Sequence, residues 1–114
     1  MQEKFKAIVI DNQKEKFSRE VKEIDTSDLK NGNVLVKIDY SSLNYKDALI
    51  LNDGGKIVRK FPFVPGIDFS GKVVESEDNK FKKDDNIILT GFRVGEVYFG
   101  GFAEYAKVDS NFLI

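Results

Sequence analysis

Two blocks decide the fold: Ser41-Ser42-Leu43-Asn44-Tyr45-Lys46-Asp47-Ala48-Leu49 and Phe61-Pro62-Phe63-Val64-Pro65-Gly66-Ile67-Asp68-Phe69-Ser70-Gly71. The first reads as a strand end running into a short helix. The alternation before it gives way to a spacing of four, with Ala48 after Asn44 and Leu49 after Tyr45. Asn52-Asp53-Gly54-Gly55 stops that helix. The second block reads as a fixed turn running into a strand, since Pro65 sets φ and Gly66 permits φ > 0. Polar groups able to do chemistry gather at the two junctions: Asn44, Tyr45, Lys46, Asp47 and Asp68.

The flanks read as β-structure. Lys4–Asp11 begins with alternation and becomes a β-branched run. After a polar turn at Asn12–Glu15, Lys16–Ile24 is a strand with Phe17 and Val21 as its buried positions. Asp25–Asn33 is a loop. In Val34–Tyr40 the residues Val34, Val36, Ile38 and Tyr40 share one face, with Leu35 as the exception. Beyond the second block, Ile67–Glu75 alternates with Ile67, Phe69, Gly71 and Val73 on one side. Ser76–Asp85 is a charged loop, Asn86–Thr90 a short strand, Gly91–Gly101 a mobile loop of glycines and aromatics, and Phe102–Val108 a last strand before an apolar finish. Short strands, Gly/Pro turns and one or two short helices make a mainly β fold, a partly open β-barrel forming one domain over residues 1–114.

Composition narrows the chemistry. A chain of 114 residues with formal net charge −1 gives no electrostatic case for nucleic acid or an anionic membrane. No apolar run would span a bilayer, and the first residues lack a signal-peptide core, so a cytoplasmic location is expected. Cysteine and histidine are absent, which removes disulfides, thiolate chemistry, histidine acid–base catalysis and the usual zinc sites. No G-x-G-x-x-G opens a βαβ unit, so a dinucleotide-binding (Rossmann) domain is not expected in this chain. Tyr, Lys, Asp, Glu or a bound cofactor must carry any catalysis.

The ordered blocks S-S-L-N-Y-K-D-A-L, F-P-F-V-P-G-I-D-F-S-G, L-T-G-F-R-V-G-E and G-G-F-A-E-Y-A resemble the amino-terminal catalytic domain of medium-chain dehydrogenase/reductases. The resemblance is to the zinc-free acryloyl-CoA reductase branch, whose members are often called quinone oxidoreductases, and it runs the length of the chain. It implies a GroES-like barrel. In zinc-containing relatives a cysteine ligand stands where this chain has Asn44, followed by an aspartate matching Asp47. The histidine and glutamate after their Pro-Gly are Ile67 and Asp68 here. The resemblance therefore implies no metal. Asp84 replaces the glycine of the family's usual F-x-x-G-D turn and would have to adopt a left-handed conformation. Members continue into a Rossmann domain that binds most of the NADPH, so the chain is expected to be a fragment, isolated domain or truncated gene product, inactive by itself.

The implied reaction is hydride transfer from NADPH to the C=C of an enoyl-CoA or a quinone, with hydrogen-bond donors stabilising the carbonyl oxygen. Tyr45 is the expected catalytic residue, which the resemblance places beside the nicotinamide end of the cofactor; phenols hold their proton at neutral pH and can donate. Its bland alternative is packing against Leu49. Asn44 can contact cofactor or substrate, or cap the helix with Asp47 in its first turn. Asp47 and Asp68 fit structural roles, at the helix terminus and in a buried hydrogen bond, better than a catalytic pair. Lys46 reads as solvated. Lys56, Arg59 and Lys60 could meet substrate phosphates, with solvation as the default. Phe92, Arg93 and Tyr98 are the expected substrate contacts, in a loop that could close over an acyl chain. The expected partners are a small-molecule acceptor and further copies of the chain in a homo-oligomer. The rival from another class is a self-associating β-barrel interaction module without catalysis.

Overall fold

The computed structural model describes residues 4–13, 16–29, 32–52, 58, 60–96 and 98–113. Strands β1 (Lys4–Gln13) and β2 (Lys16–Asp25) form an antiparallel hairpin paired from Lys4↔Asp25 to Gln13↔Lys16. A second antiparallel sheet runs β5-β4-β3-β6, built from β3 (Val34–Ser41), β4 (Asp68–Ser76), β5 (Asn86–Thr90) and β6 (Tyr105–Val108). Helix α1 (Tyr45–Leu51) bridges β3 to the Pro65-Gly66 turn.

Backbone hydrogen bonds sew the hairpin to the rest. Ile8 N–H donates to Phe102 C=O at 2.8 Å and Glu104 N–H to Lys6 C=O at 3.0 Å. Ile10 and Phe63 exchange bonds of 2.8 and 2.9 Å. These satisfy groups the hairpin would otherwise leave at an edge, and the strands curve into a mainly β, partly open barrel.

β3 is the central layer. Val34 and Val36 pack with Phe69, Val73, Leu89 and Ala106 on one side. Leu35 packs with Phe5, Ala7, Val9, Leu29 and Val64 on the other. Burial on both faces explains why Leu35 broke the expected alternation. A third cluster, Ile10, Ile50, Val58 and Phe63, fixes the helix. Fully burying a side chain such as Ile50 stabilises by about 1.5–3 kcal/mol.

Several expectations need correcting. Val21 is 69% exposed: among the described residues β2 pairs with β1 alone, and Val21 joins none of the packed clusters; Phe17 is half-buried against the third cluster. Tyr40 is 77% exposed: the β3–β4 register slips between Ile38 and Tyr40 and breaks the face they were expected to share. The last strand is shorter than Phe102–Val108, since only Tyr105–Val108 joins the sheet. Asp25–Asn33 contains a short 3-10 turn, Thr26–Asp28, capped by the Asp25 carboxylate accepting from Ser27 N–H at 2.9 Å. Asp84 does take a left-handed conformation, φ 72°.

The Gly91–Gly101 segment is not the loose loop its composition suggested. Gly100 N–H donates to Val64 C=O at 2.7 Å, Gly101 N–H to Gly66 C=O at 2.9 Å and Gly95 N–H to Tyr98 C=O at 2.7 Å. Gly66 has φ 111°, and a Cβ there would sit 2.6 Å from Phe102 N and 2.7 Å from Gly101 N. A Cβ on Gly100 would collide with Gly66 C=O. Gly95, Gly100 and Gly101 serve backbone-to-backbone packing of this segment onto the Pro65-Gly66 turn.

Candidate active site

The site is built where β3 ends, α1 begins and β4 begins. Asn44 is the N-cap of α1 and its C=O accepts from Ala48 N–H at 3.0 Å. Asp47, in the first turn, is fully buried, a position a carboxylate occupies only when its oxygens are bonded. Its Oδ2 accepts from Asn44 N–H at 2.9 Å and its Oδ1 from Ile67 N–H at 3.0 Å. One side chain thus caps the helix and ties it to the turn before β4. The helix buries Asp47 and Ile50 and leaves Tyr45 outward.

A polar chain runs from there to β4. The Asn44 amide Nδ2 lies 3.2 Å from Asp47 Oδ2, 3.1 Å from Asp68 Oδ2 and 3.3 Å from Ser42 Oγ. Ser42 Oγ lies 2.9 Å from each Asp68 oxygen, and Ser42 N–H donates to Asp68 Oδ1 at 3.2 Å. Asp68, expected to be buried, is half-buried with these partners. Asp47 and Asp68 therefore hold structure, as the residue pattern suggested. Ser42 was not singled out from the sequence. Its one signal was position, two residues before the cap at the same junction.

Tyr45 is 81% exposed and does not pack into the core. Leu49, its expected packing neighbour, is also exposed. Lys46 is not simply solvated: its Nζ lies 2.5 Å from Glu96 Oε1, so α1 is tied to the Gly91–Gly101 segment. Glu96 was the other residue the sequence reading missed.

Phe92, Arg93 and Tyr98 gather at a different place. Phe92 stacks on Phe112 with ring centroids 4.9 Å apart, and Tyr98 tilts against the same ring at 6.1 Å. Phe92 and Arg93 both have positive φ, 56° and 65°, strained for residues with a Cβ. Glu96 N–H and Tyr98 N–H close on Arg93 C=O at 3.1 and 3.3 Å, which holds that turn. The structure brings Asn44 with Tyr45, and Phe92 with Tyr98. The Lys46–Glu96 pair connects the two groups. Lys56, Arg59 and the Asp53-Gly54-Gly55 stop lie outside the described residues, and Lys60 is exposed.

Two shallow clefts flank Tyr40. One, about 270 Å³, is lined by Tyr40, Ser42, Asp68, Phe69, Ile88 and Thr90. The other, about 330 Å³, is lined by Lys6, Ile8, Val21, Ile38, Tyr40 and Phe102. The first opens beside the polar chain. The donor set does not suit zinc: Asn44 turns its amide nitrogen to carboxylates, and Ile67 offers only a backbone N–H already given to Asp47. Among the described residues no cluster of His, Cys, Asp or Glu could hold a metal ion, and no helix is long and apolar enough to cross a membrane.

This barrel, with its short helix and a Pro-Gly turn bonded to a glycine-rich segment, is of the GroES-like class. The chain belongs to the alcohol dehydrogenase GroES-like domain family, which matches residues 30–114. It is 45% identical over 112 residues to the acrylyl-CoA reductase AcuI of Ruegeria pomeroyi, covering 96% of this chain and 34% of that protein. It is 41% identical over 110 residues to the putative quinone oxidoreductase YhfP of Bacillus subtilis, covering 96% of this chain and 33% of the relative. The crystal structure of the YhdH oxidoreductase of Salmonella enterica in complex with NADP superposes with a TM-score of 0.91 at 44% identity, covering 100% of this chain and 34% of that one. The chain spans about a third of the length of the curated relatives it matches.

Proposed function

We propose that this chain is the acceptor-binding, catalytic part of an NADPH-dependent reductase that acts on the C=C of an enoyl-CoA, such as acryloyl-CoA, or on a quinone, without zinc. The observation that carries the reading is the contrast at one junction. Tyr45 is exposed, while Asn44, Asp47, Asp68 and Ser42 around it are locked to one another. An exposed phenol on a fixed support is what a site needs to meet a charge that develops during reaction. The relatives' names and the NADP in the Salmonella structure support the choice of reaction and cofactor.

Reduced nicotinamide, when bound, supplies the hydride. The residues of this chain position and polarise. Tyr45 donates its phenolic hydrogen bond to the acceptor's carbonyl oxygen, where negative charge gathers as the β-carbon is reduced. Asn44 and Tyr45 line the nicotinamide end of the cofactor. Phe92 and Tyr98 offer an apolar flank for the acceptor, and Arg93 stands beside them for its charged portion. The 114-residue chain by itself is inactive on this reading, because a third of such an enzyme holds too little of the cofactor.

The test is NADPH oxidation by the longest natural chain that carries this sequence, with acryloyl-CoA and with a simple quinone in parallel. Turnover with either acceptor supports the reading, and the better acceptor names the substrate class. No turnover with either sinks it. A second reading, a self-associating barrel, is favoured by the exposed Tyr40, Leu43, Ile88 and Phe92. Sedimentation of the 114-residue chain across concentrations separates the two, since a monomer at every concentration excludes it.

A further inference from the structure

The direction of every hydrogen bond around Asn44 follows from the acceptors it faces. Ser42 Oγ lies 2.9 Å from both oxygens of Asp68, so its single proton goes to that carboxylate. What Ser42 turns to Asn44 is a lone pair. The other two neighbours of the Asn44 amide are Asp47 Oδ2 and Asp68 Oδ2, which as carboxylates only accept. Three acceptors thus surround one end of the amide, and only the NH2 end can sit there. Turning the amide over would set its carbonyl oxygen against two carboxylates and a hydroxyl lone pair. Both amide protons are therefore spent within the chain. The carbonyl oxygen faces the Asp47 N–H in the capping box, and its second lone pair is what remains to serve a ligand.

We infer that Asn44 meets its ligand as a hydrogen-bond acceptor only, and so takes an N–H or O–H of cofactor or substrate and never the acceptor's carbonyl oxygen. The identity of those ligands rests on the proposed function. The orientation of the amide does not. The consequence is a division of labour. Asn44 positions a ligand through a donor group, and Tyr45 is left as the donor to the developing charge. The shared ligand chemistry is an amide N–H, which the carboxamide of nicotinamide and the pantetheine arm of a CoA thioester both carry.

The experiment has two arms, both on the longest natural chain. First, the side-chain amide of Asn44 is assigned by 15N NMR without any ligand. Slow solvent exchange of both protons, lost in Asp68→Ala, is expected; exchange as fast as an exposed asparagine's overturns the inference whatever the enzyme does. Second, cofactor Kd, acceptor KM and kcat are measured for Asn44→Ala. Asn44→Gly serves if the first variant folds poorly, because glycine is nearly as good an N-cap. A rise of about 3- to 15-fold in Kd or KM with kcat nearly kept is expected. A fall in kcat of about a hundredfold at constant Kd and KM would mean that Asn44 donates to the reacting oxygen, and overturns the inference. So does a variant unchanged in all three. The 3-acetylpyridine analogue of NADPH, which has a methyl in place of the carboxamide NH2, tells the sources apart. If the carboxamide is the donor, wild type loses affinity for the analogue and Asn44→Ala does not distinguish the two cofactors; if the pantetheine arm is, the change falls on acceptor KM. A wild-type chain that binds neither cofactor nor acceptor overturns the proposed function and the ligand contact together, while the amide measurement still decides the orientation.

Discussion

The buried carboxylate of Asp47 accepts from Ile67 N–H at 3.0 Å, joining the first turn of α1 to the turn before β4 across twenty residues of sequence. Its other oxygen caps the helix at Asn44. Asp47→Ala leaves two N–H groups without their acceptor, one of them beside the buried Gly66. A loss of about 2–4 kcal/mol is expected, read as a lower denaturant midpoint. Asp47→Asn keeps one acceptor oxygen and should lose less. Equal stability of Asp47→Ala and wild type would show that the carboxylate does not anchor the helix.

The junction of Gly66 with Gly100 makes a second prediction. Gly66→Ala places a methyl against the backbone of Gly101 and Phe102 at a φ that alanine rarely adopts, and Gly100→Ala pushes one onto Gly66 C=O. Each is expected to cost about 1–3 kcal/mol, more at Gly66 because of its φ. Gly91→Ala is the control: it too has positive φ but meets nothing within 4 Å, so it pays only for conformation. Thermal unfolding of the three variants checks the order.

Lys46 and Glu96 connect the helix to the segment carrying Phe92 and Arg93. Lys46 is half exposed, so water and salt screen the pair, and a double-mutant cycle of Lys46→Met with Glu96→Gln should give a coupling of about 0.2–1 kcal/mol that shrinks with added salt. On the proposed function, breaking the pair should raise acceptor KM more than it lowers kcat.

Two turn carboxylates should contribute to acid sensitivity. The backbone N–H of Ser27 holds Asp25 below the usual carboxylate value of 3.8, and the backbone N–H of Lys80, with the Ser110 hydroxyl, does the same for Asp78. A folded-state value below the unfolded one means stability that is whole above about 3.8 and is lost as pH falls through the lower folded values. Asp25→Asn with Asp78→Asn should flatten the decline of unfolding free energy below that pH. A slope identical to wild type would place the sensitive groups elsewhere.

Much of the architecture was legible in sequence. Asn86–Thr90 is a strand, as its short apolar run suggested, and the Phe69, Gly71 and Val73 face that alternation marked on β4 is buried. These positions depend on local periodicity. The misses depend on what packs from afar. Nothing in the residues of β2 says that Val21 stays exposed, and nothing in β3 announces the register slip that turns Tyr40 outward. The glycines of 91–101 were read through conformational freedom, whereas their partner, Gly66, lies some thirty residues away. At the site, Asn44 and Asp47 were visible as cap and first-turn acid, but the part of Ser42 needs Asp68 beside it, and that of Glu96 needs Lys46.

The most direct test is Tyr45→Phe in the longest natural chain, with NADPH oxidation followed at saturating cofactor and acceptor. The side chain is exposed, so the variant should fold as wild type does. A fall in kcat of about a hundredfold or more, with cofactor affinity little changed, is the result expected of a phenol that donates to the developing oxyanion. A variant that turns over at the wild-type rate would contradict the account.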